Sequence, residues 1–436
     1  MRSAALFLEL LVLLPIVLQR PFVGVVLWSW VSFMNPHRIV YGGAGAALPW
    51  AELTFIATMF GCVFAREPKR FPVNAVTVQI CLFLVLITCT SMFALAPWAN
   101  VEYKWEWVFK VFLFLLVTAA LLTSRERIHA LIWVMVLSMA YFGIKGGGFT
   151  LVGGGENKVW GPPGSIIADN NHLAVALLVS MPLMNYLRME SRHAIIRYGL
   201  LGAMTLTLFA VVGSYSRGAL LALGAVSGYF WLKSSSKLIS GMLLALALVT
   251  AITFMPESWI DRMHTIQEYQ MDKSSTDRLM AWHVSWSMAV ARPLVGGGFI
   301  APYFGYIAAQ FMPGAESMAV HSIWFEILGE HGFPTFFVWL GISIAAAVYT
   351  RRIVRLATGV SGLEWCVSLA KMAQVSMVAY IVGGTFLSLC YWDYYFTILV
   401  AVGAVYQHVT ATLGSAAKAR LAVSAIPPQL ALPQRS

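Results

Sequence analysis

What this chain is short of is charge. Of its 436 residues only 11% are charged, less than half the roughly 25% of an ordinary soluble domain. Mean hydropathy is +0.75 and 59% of residues are hydrophobic. That excludes a water-soluble globular chain, and counting domains by length does not apply. Ten-residue stretches of alternating apolar and polar residues are missing too, which argues against a transmembrane β-barrel. Cysteine is scarce. Cys62, Cys81, Cys89, Cys366 and Cys390 have no metal-site spacing and read as small core residues. The glycine runs in KGGGFTLVGGG and VGGGF lack the Lys-Ser/Thr ending of a phosphate-binding loop. They read instead as tight turns or places of close backbone approach. The amino-terminal stretch has no small-residue cleavage site and carries Glu9, so it reads as a retained first membrane helix.

What the chain has is apolar runs. They fall at 4–19, 21–36, 48–65, 73–95, 105–123, 127–144, 168–187, 195–212, 217–232, 237–255, 321–350, 367–389 and 393–413. Most are near the ~17–25 residues that cross a bilayer as a helix. The first two are short and split by Arg20-Pro21, so the expected total is about 12 crossings. The expected fold is an all-α, polytopic membrane helical bundle occupying residues 1–413. A long outer-face loop at 256–320 carries amphipathic helices, and 414–436 is a Pro-rich, disordered cytoplasmic tail.

Orientation follows the basic residues. Arg66, Lys69 and Arg70 share one loop, Arg125 and Arg127 another, then Arg188, Arg192 and Arg197, then Lys233 and Lys237, then Arg351, Arg352 and Arg355. These loops alternate correctly to lie together on the cytoplasmic side. The formal charge of +10 is explained by them, and nucleic acid is not expected as a partner. The opposite face receives 145–167, the turn GSYSR at 213–217 and the long loop 256–320.

Arg217 opens a helix on that outer side, with Ser214 or Ser216 available as its cap. A guanidinium there opposes both the helix dipole and the positive-inside bias. Two readings remain: an anion site made of free N–H groups and the guanidinium, or a side chain that reaches lipid phosphates or a carboxylate. Arg278 stands in DKSSTDRLMAWHVSWSMAVA, an amphipathic helix in which Ser274 and Asp277 resemble a capping box. Arg278, Trp282, Ser285 and Trp286 fall near one face, suited either to a site or to an interfacial helix touching lipid. Arg262, in ESWIDRMHTI, is a candidate of the same kind whose alternative is pairing with Asp261.

His321 lies where the long loop re-enters the membrane, in MAVHSIWFEILGEHGF. Its readings are a satisfied interface histidine or a functional group. Glu326 and Glu330 share a different face of that helix and are expected to bond to other helices. HSIWFE is not HExxH, so zinc is disfavoured. Asp169, Asn170, Asn171 and His172 begin another helix on the outer face, where capping competes with sugar hydrogen bonding; Lys145 and Lys158 are two more outer cations.

These residues together carry a resemblance. An outer Arg before a helix, STDRLMAW…RPLVGGGF in a long loop and HSIWFEILGEHG at re-entry resemble the bacterial O-antigen ligase/polymerase superfamily. RPFVGVVLWSWVSFMNPHR, GIKGGGFTLVGGG, VWGPPGSIIADNNHLA and MPESWIDRMHTIQEY look like its exosortase-associated O-glycosylation ligases. The likeness covers residues 1 to about 410. It implies an inner-membrane glycosyltransferase that needs no cofactor, metal or nucleotide sugar. The implied donor is an undecaprenyl-diphosphate-linked glycan and the acceptor a hydroxyl on protein, lipid or glycan. Arg217, Arg278 and His321 match the family's functional positions, with Arg262, Trp282, Trp286, Lys145, Asn170 and Asn171 as candidate substrate contacts. One departure is Ser322, where family members often carry Asn. The alternatives are a polymerase of the same superfamily and a lipid-linked glycan transporter. A transporter should show paired broken helices with midplane charges, and the sequence shows neither.

Overall fold

The computed structural model describes residues 2–40, 42, 44–233, 237–238, 241–242, 253–264, 273–317 and 319–424. Among these the chain is all-helical, with no strand. The helices are α1 (Arg2–Gln19), α2 (Pro21–Met34), α3 (Pro36–Ile39), α4 (Ala44–Ala47), α5 (Trp50–Phe64), α6 (Ala75–Ser91), α7 (Trp98–Leu121), α8 (Arg125–Val152) and α9 (Asn170–Glu190). They continue with α10 (Ala194–Val212), α11 (Arg217–Lys233), α12 (Glu257–His264), α13 (Lys273–Ala291), a 3-10 turn at Ala301–Tyr303, α14 (Gly305–Phe311), α15 (Ile323–Ala357), α16 (Glu364–Gly384) and α17 (Asp393–Ser424).

Six of them, α8, α9, α10, α15, α16 and α17, are long and apolar enough to cross a membrane; α1, α5 and α6 are apolar but shorter. The expected span at 237–255 lies largely outside the described residues. Starts are set by local chemistry. Asn74 accepts from Val76 N and Thr77 N while Thr77 answers to Asn74 N, a reciprocal cap. Ser124 caps α8, and Pro21 sits at the start of α2. Helix α9 is buried on nearly every side, as its all-round apolar sequence requires, and packs against α8, α10, α11 and α16.

Three expectations need correction. Helix α7 begins at Trp98, not near 105. Its charges are tolerated because Lys104 pairs with Glu326 and Glu330, and Lys110 with Glu52 and Glu106. Helix α8 runs through KGGGFTLV, so Lys145 stands on an exposed helical surface and not in a loop. The glycines explain why. A Cβ on Gly147 would sit 2.0 Å from the Leu206 carbonyl oxygen, and one on Gly143 2.0 Å from Thr207 Oγ1. They give α10 close approach along α8, which outweighs their cost in helix propensity. Finally, α17 remains helical to Ser424, into the segment expected to be a disordered tail; residues 425–436 lie outside the described ones.

Segment 256–320 has its own helices, and α13 packs on α15. Ser285 on α13 lies so close to Gly329 that a Cβ there would fall 2.9 Å from the serine Cβ. Helix α15 is broken at Gly332, where φ is 73° and ψ −173°. The VGGGF loop docks at the break. Gly297 N donates to Gly329 O at 2.8 Å, Gly298 N to Glu330 O at 2.7 Å and Phe333 N to Pro293 O at 2.9 Å.

Candidate active site

At the end of the bundle where α9, α11 and α15 begin, several of the sequence candidates meet. Asp169 precedes α9 and accepts from Asn171 N at 2.8 Å and Asn171 Nδ2 at 2.9 Å. It lies 3.3 Å from His172 Nδ1. Burial pushes the Asp169 carboxyl up, but the hydrogen bonds from His172 and Asn171 outweigh it and hold it well below the usual carboxylate range. Asn170 is buried, and its Nδ2 donates to Ser214 O at 2.6 Å, tying α9 to the turn before Arg217.

That turn is rigidly held. Ser216 Oγ accepts from Ala219 N at 3.2 Å and so caps α11. Tyr215 adopts φ 59°, its hydroxyl donates to Gly155 O at 2.8 Å, and Trp259 Nε1 donates to Val212 O at 3.0 Å. Arg217 is therefore the first residue of a helix whose preceding turn is fixed from three directions, and it is half-buried.

Helix α13 brings the next pair. Trp282 stacks on Phe325 with centroids 5.3 Å apart and lies 6.2 Å from Phe386. Phe386 also lies against the backbone of Gly218, next to Arg217. Trp282 Nε1 donates to Val320 O at 2.9 Å, which fixes the residue before His321. Arg278, one turn earlier on α13, acts electrostatically on His321.

His321 itself is left-handed, with φ 47°. Its N–H donates to Ser388 Oγ at 3.0 Å, and its Nδ1 is buried without a hydrogen-bond partner among the described residues. The His172 and His321 rings lie 6.3 Å apart. Burial first, then the positive charge of Arg278 and the proximity of His172, push the His321 imidazole down to about 4, so it is neutral at pH 7.

The structure thus draws Arg278, Trp282, His321, His172 and Asp169 into one cluster, with the turn carrying Arg217 beside it. At its edge Asn170 ties α9 to the turn before Arg217, and Asn171 donates to the capping carboxylate of Asp169. Trp286 lies one turn beyond Trp282, 47% exposed and edge-on to Phe333. Lys145 makes no hydrogen bond or ion pair to the cluster among the described residues. Arg262 falls on α12, but its side chain and that of Ser274 lie outside the described residues. No group of three or more His, Cys, Asp or Glu side chains suited to a metal occurs among the described residues.

Sequence reasoning missed Lys104, Tyr303 and Ser388. Lys104 Nζ lies 2.9 Å from Glu326 Oε1 and 2.7 Å from Glu330 Oε1, within 5.1 Å of the Tyr391 ring centroid and 5.4 Å of that of Tyr303. Glu330 also accepts from Ile300 N at 2.7 Å and from the Tyr391 hydroxyl at 2.6 Å. Tyr303 donates to Glu326 Oε1 at 3.0 Å. Both carboxylates of the re-entry segment thus bond to other elements, away from the His321 ring. A signal for Lys104 existed: a cation inside an apolar run needs a buried counter-charge.

Comparison with known proteins divides the chain in two. Residues 1–192 match a family of unknown function, DUF5935. No curated protein matches. Residues 202–340 match the family described as O-Antigen ligase, Wzy_C. Arg217, Arg278, Trp282 and His321 all fall in the part of the chain that is similar to the O-Antigen ligase family.

Proposed function

We propose that this protein is a membrane glycan ligase. It transfers an oligo- or polysaccharide from an undecaprenyl-diphosphate carrier to an acceptor hydroxyl at the periplasmic face of the bacterial inner membrane. The reading includes about 12 crossings, cytoplasmic basic loops and a cytoplasmic carboxyl terminus. Within that reading it is one of the exosortase-associated O-glycosylation ligases, a reading supported by the resemblance of segments such as VWGPPGSIIADNNHLA. The observation that carries the reading is the buried, left-handed His321, its Nδ1 without a partner among the described residues and its preceding residue held by Trp282, inside the family-matched region.

The chemistry is a single displacement. The acceptor oxygen attacks the sugar C1 as the C1–O bond to the diphosphate breaks, inverting the anomeric centre. The bonding pair leaves on the diphosphate, and the acceptor proton passes to the His321 ring. Arg217 and Arg278 hold the phosphate oxygens, where guanidinium forks stabilise the charge that builds on the leaving group. A diphosphate beside Arg278 cancels part of the field that lowers the imidazole's basicity, so donor arrival makes His321 a stronger base. Trp282 with Phe325 and Phe386 supplies an aromatic wall for sugar or polyprenyl chain.

The test uses purified protein in nanodiscs with undecaprenyl-diphosphate glycan and a panel of acceptors. Wild type should consume donor only when the right acceptor is present, and Arg217→Ala, Arg278→Ala and His321→Ala should each lower that consumption by at least about 100-fold. Full transfer by His321→Ala would remove the base assignment. Products that lengthen on the lipid carrier would identify a polymerase instead.

A further inference from the structure

A histidine at φ 47° needs something to keep it there, because the left-handed region is unfavourable for a residue with a Cβ. Its own N–H points to the cause, the 3.0 Å bond to Ser388 Oγ. Ser388 lies in the linker between α16 and α17. Its hydroxyl is 3.3 Å from the Tyr303 hydroxyl, which is 3.0 Å from Glu326 Oε1. A tyrosine hydroxyl has one proton. The carboxylate, as the charged acceptor, takes it. Ser388 then turns its own proton toward Tyr303 and keeps its lone pairs for His321 N–H. In this order His321 N–H donates to Ser388, Ser388 to Tyr303 and Tyr303 to Glu326. The far end is anchored by Lys104, which also holds Glu330.

We propose that Ser388 and Tyr303 are positioning residues that lock the backbone of His321 and aim its ring at the acceptor. The chain of bonds joins the linker 385–392, the 3-10 turn Ala301–Tyr303, α15 and α7 at the point where the ring must be fixed. It explains why a membrane-embedded helix carries Glu326 just after His321: the carboxylate never touches the ring but fixes the proton order of the two hydroxyls that hold it. Neither Ser388 nor Tyr303 touches a reacting atom in this scheme. The proposal rests on the reading of His321 as the base.

The experiment measures acceptor-dependent transfer by the full chain in nanodiscs, with kcat and donor KM determined separately for Ser388→Ala, Ser388→Thr, Tyr303→Phe, His321→Ala and the double variant His321→Ala/Ser388→Ala. Ser388→Ala should lower kcat by about tenfold to a hundredfold, the scale of a misaimed catalytic group, with donor KM unchanged. Ser388→Thr keeps the hydroxyl and should restore the wild-type rate. Tyr303→Phe keeps the ring over Lys104 and should lower kcat in the same direction. In the double variant the serine change should add nothing to the loss from His321→Ala, since it acts through that ring. A fully active His321→Ala overturns the base assignment and the positioning role with it. An inactive His321→Ala beside a fully active Ser388→Ala overturns the positioning role alone. So does a further loss in the double variant, or a raised KM at unchanged kcat.

Discussion

Two polar regions sit at the start of α15, and they are finished differently. The Glu330 carboxylate is fully satisfied. One carboxylate oxygen takes Lys104 and Ile300 N, and the other takes Tyr391. Among the described residues, its neighbours Glu326 Oε2, His331 Nε2 and Ser285 Oγ are buried without a hydrogen-bond partner. A few residues earlier, among the described residues, His321 Nδ1 and Ser322 Oγ are buried without hydrogen-bond partners. Left-handed backbone marks both regions, at His321 and Tyr215 in one and at Ile300 beside Glu330 in the other. Buried polar groups are normally bonded. The contrast is between a carboxylate whose every oxygen is occupied and an imidazole with an unoccupied nitrogen.

That contrast can be broken by experiment. The largest effect should follow His321→Ala, with transfer lowered by about 10²–10⁴-fold and thermal unfolding in detergent unchanged; an equal drop in stability would merge the two regions. Lys104→Met should do the opposite. It leaves two buried carboxylates unpaired, which costs about 3–5 kcal/mol, visible as a lowered unfolding temperature before any assay of transfer. The third test is of pH. The imidazolium of His321 is disfavoured by burial and by Arg278, so the ring loses its neutral form only as pH falls through about 4. Its acylation by diethyl pyrocarbonate, followed by mass spectrometry, should persist down to that range. Arg278→Gln should move the midpoint upward, toward the ordinary range near about 6.5. An unmoved midpoint would separate Arg278 from the site. The smallest effects belong to the scaffold under both regions. Gly147→Ala should destabilise by about 1–3 kcal/mol because its Cβ meets backbone. Gly148→Ala, with nothing within 4 Å, should stabilise by about 0.5–1 kcal/mol.

Much of the helix pattern was legible, because apolar runs and their breakers are local properties. The spans at 21–36, 48–65, 168–187 and 195–212 differ from α2, α5, α9 and α10 by only a few residues at either end. Errors arose where a distant partner changed the local rule. Charges at 102–106 read as the end of a run until Glu326 and Glu330 arrive from α15 to neutralise Lys104. Glycines 146–148 read as a loop until α10 lies against Gly146 and Gly147. In the site, Arg278 and His321 were legible because each stood at an awkward place for its charge or polarity. That His172 would face His321 was not, since no periodicity links α9 to α15. Ser388 was not legible either: a lone serine in a short linker has no pattern, and only its bond to a left-handed residue singles it out.

The break at Gly332 interrupts α15 just beyond its two buried carboxylates. The stretch that carries Glu326 and Glu330 is stitched through Gly297 and Gly298 to the loop that follows α13, and the same loop takes Phe333 N at Pro293 O. The loop is therefore a splint across the fracture, and the hydrogen bonds it supplies stand in for those the helix gives up at Gly332.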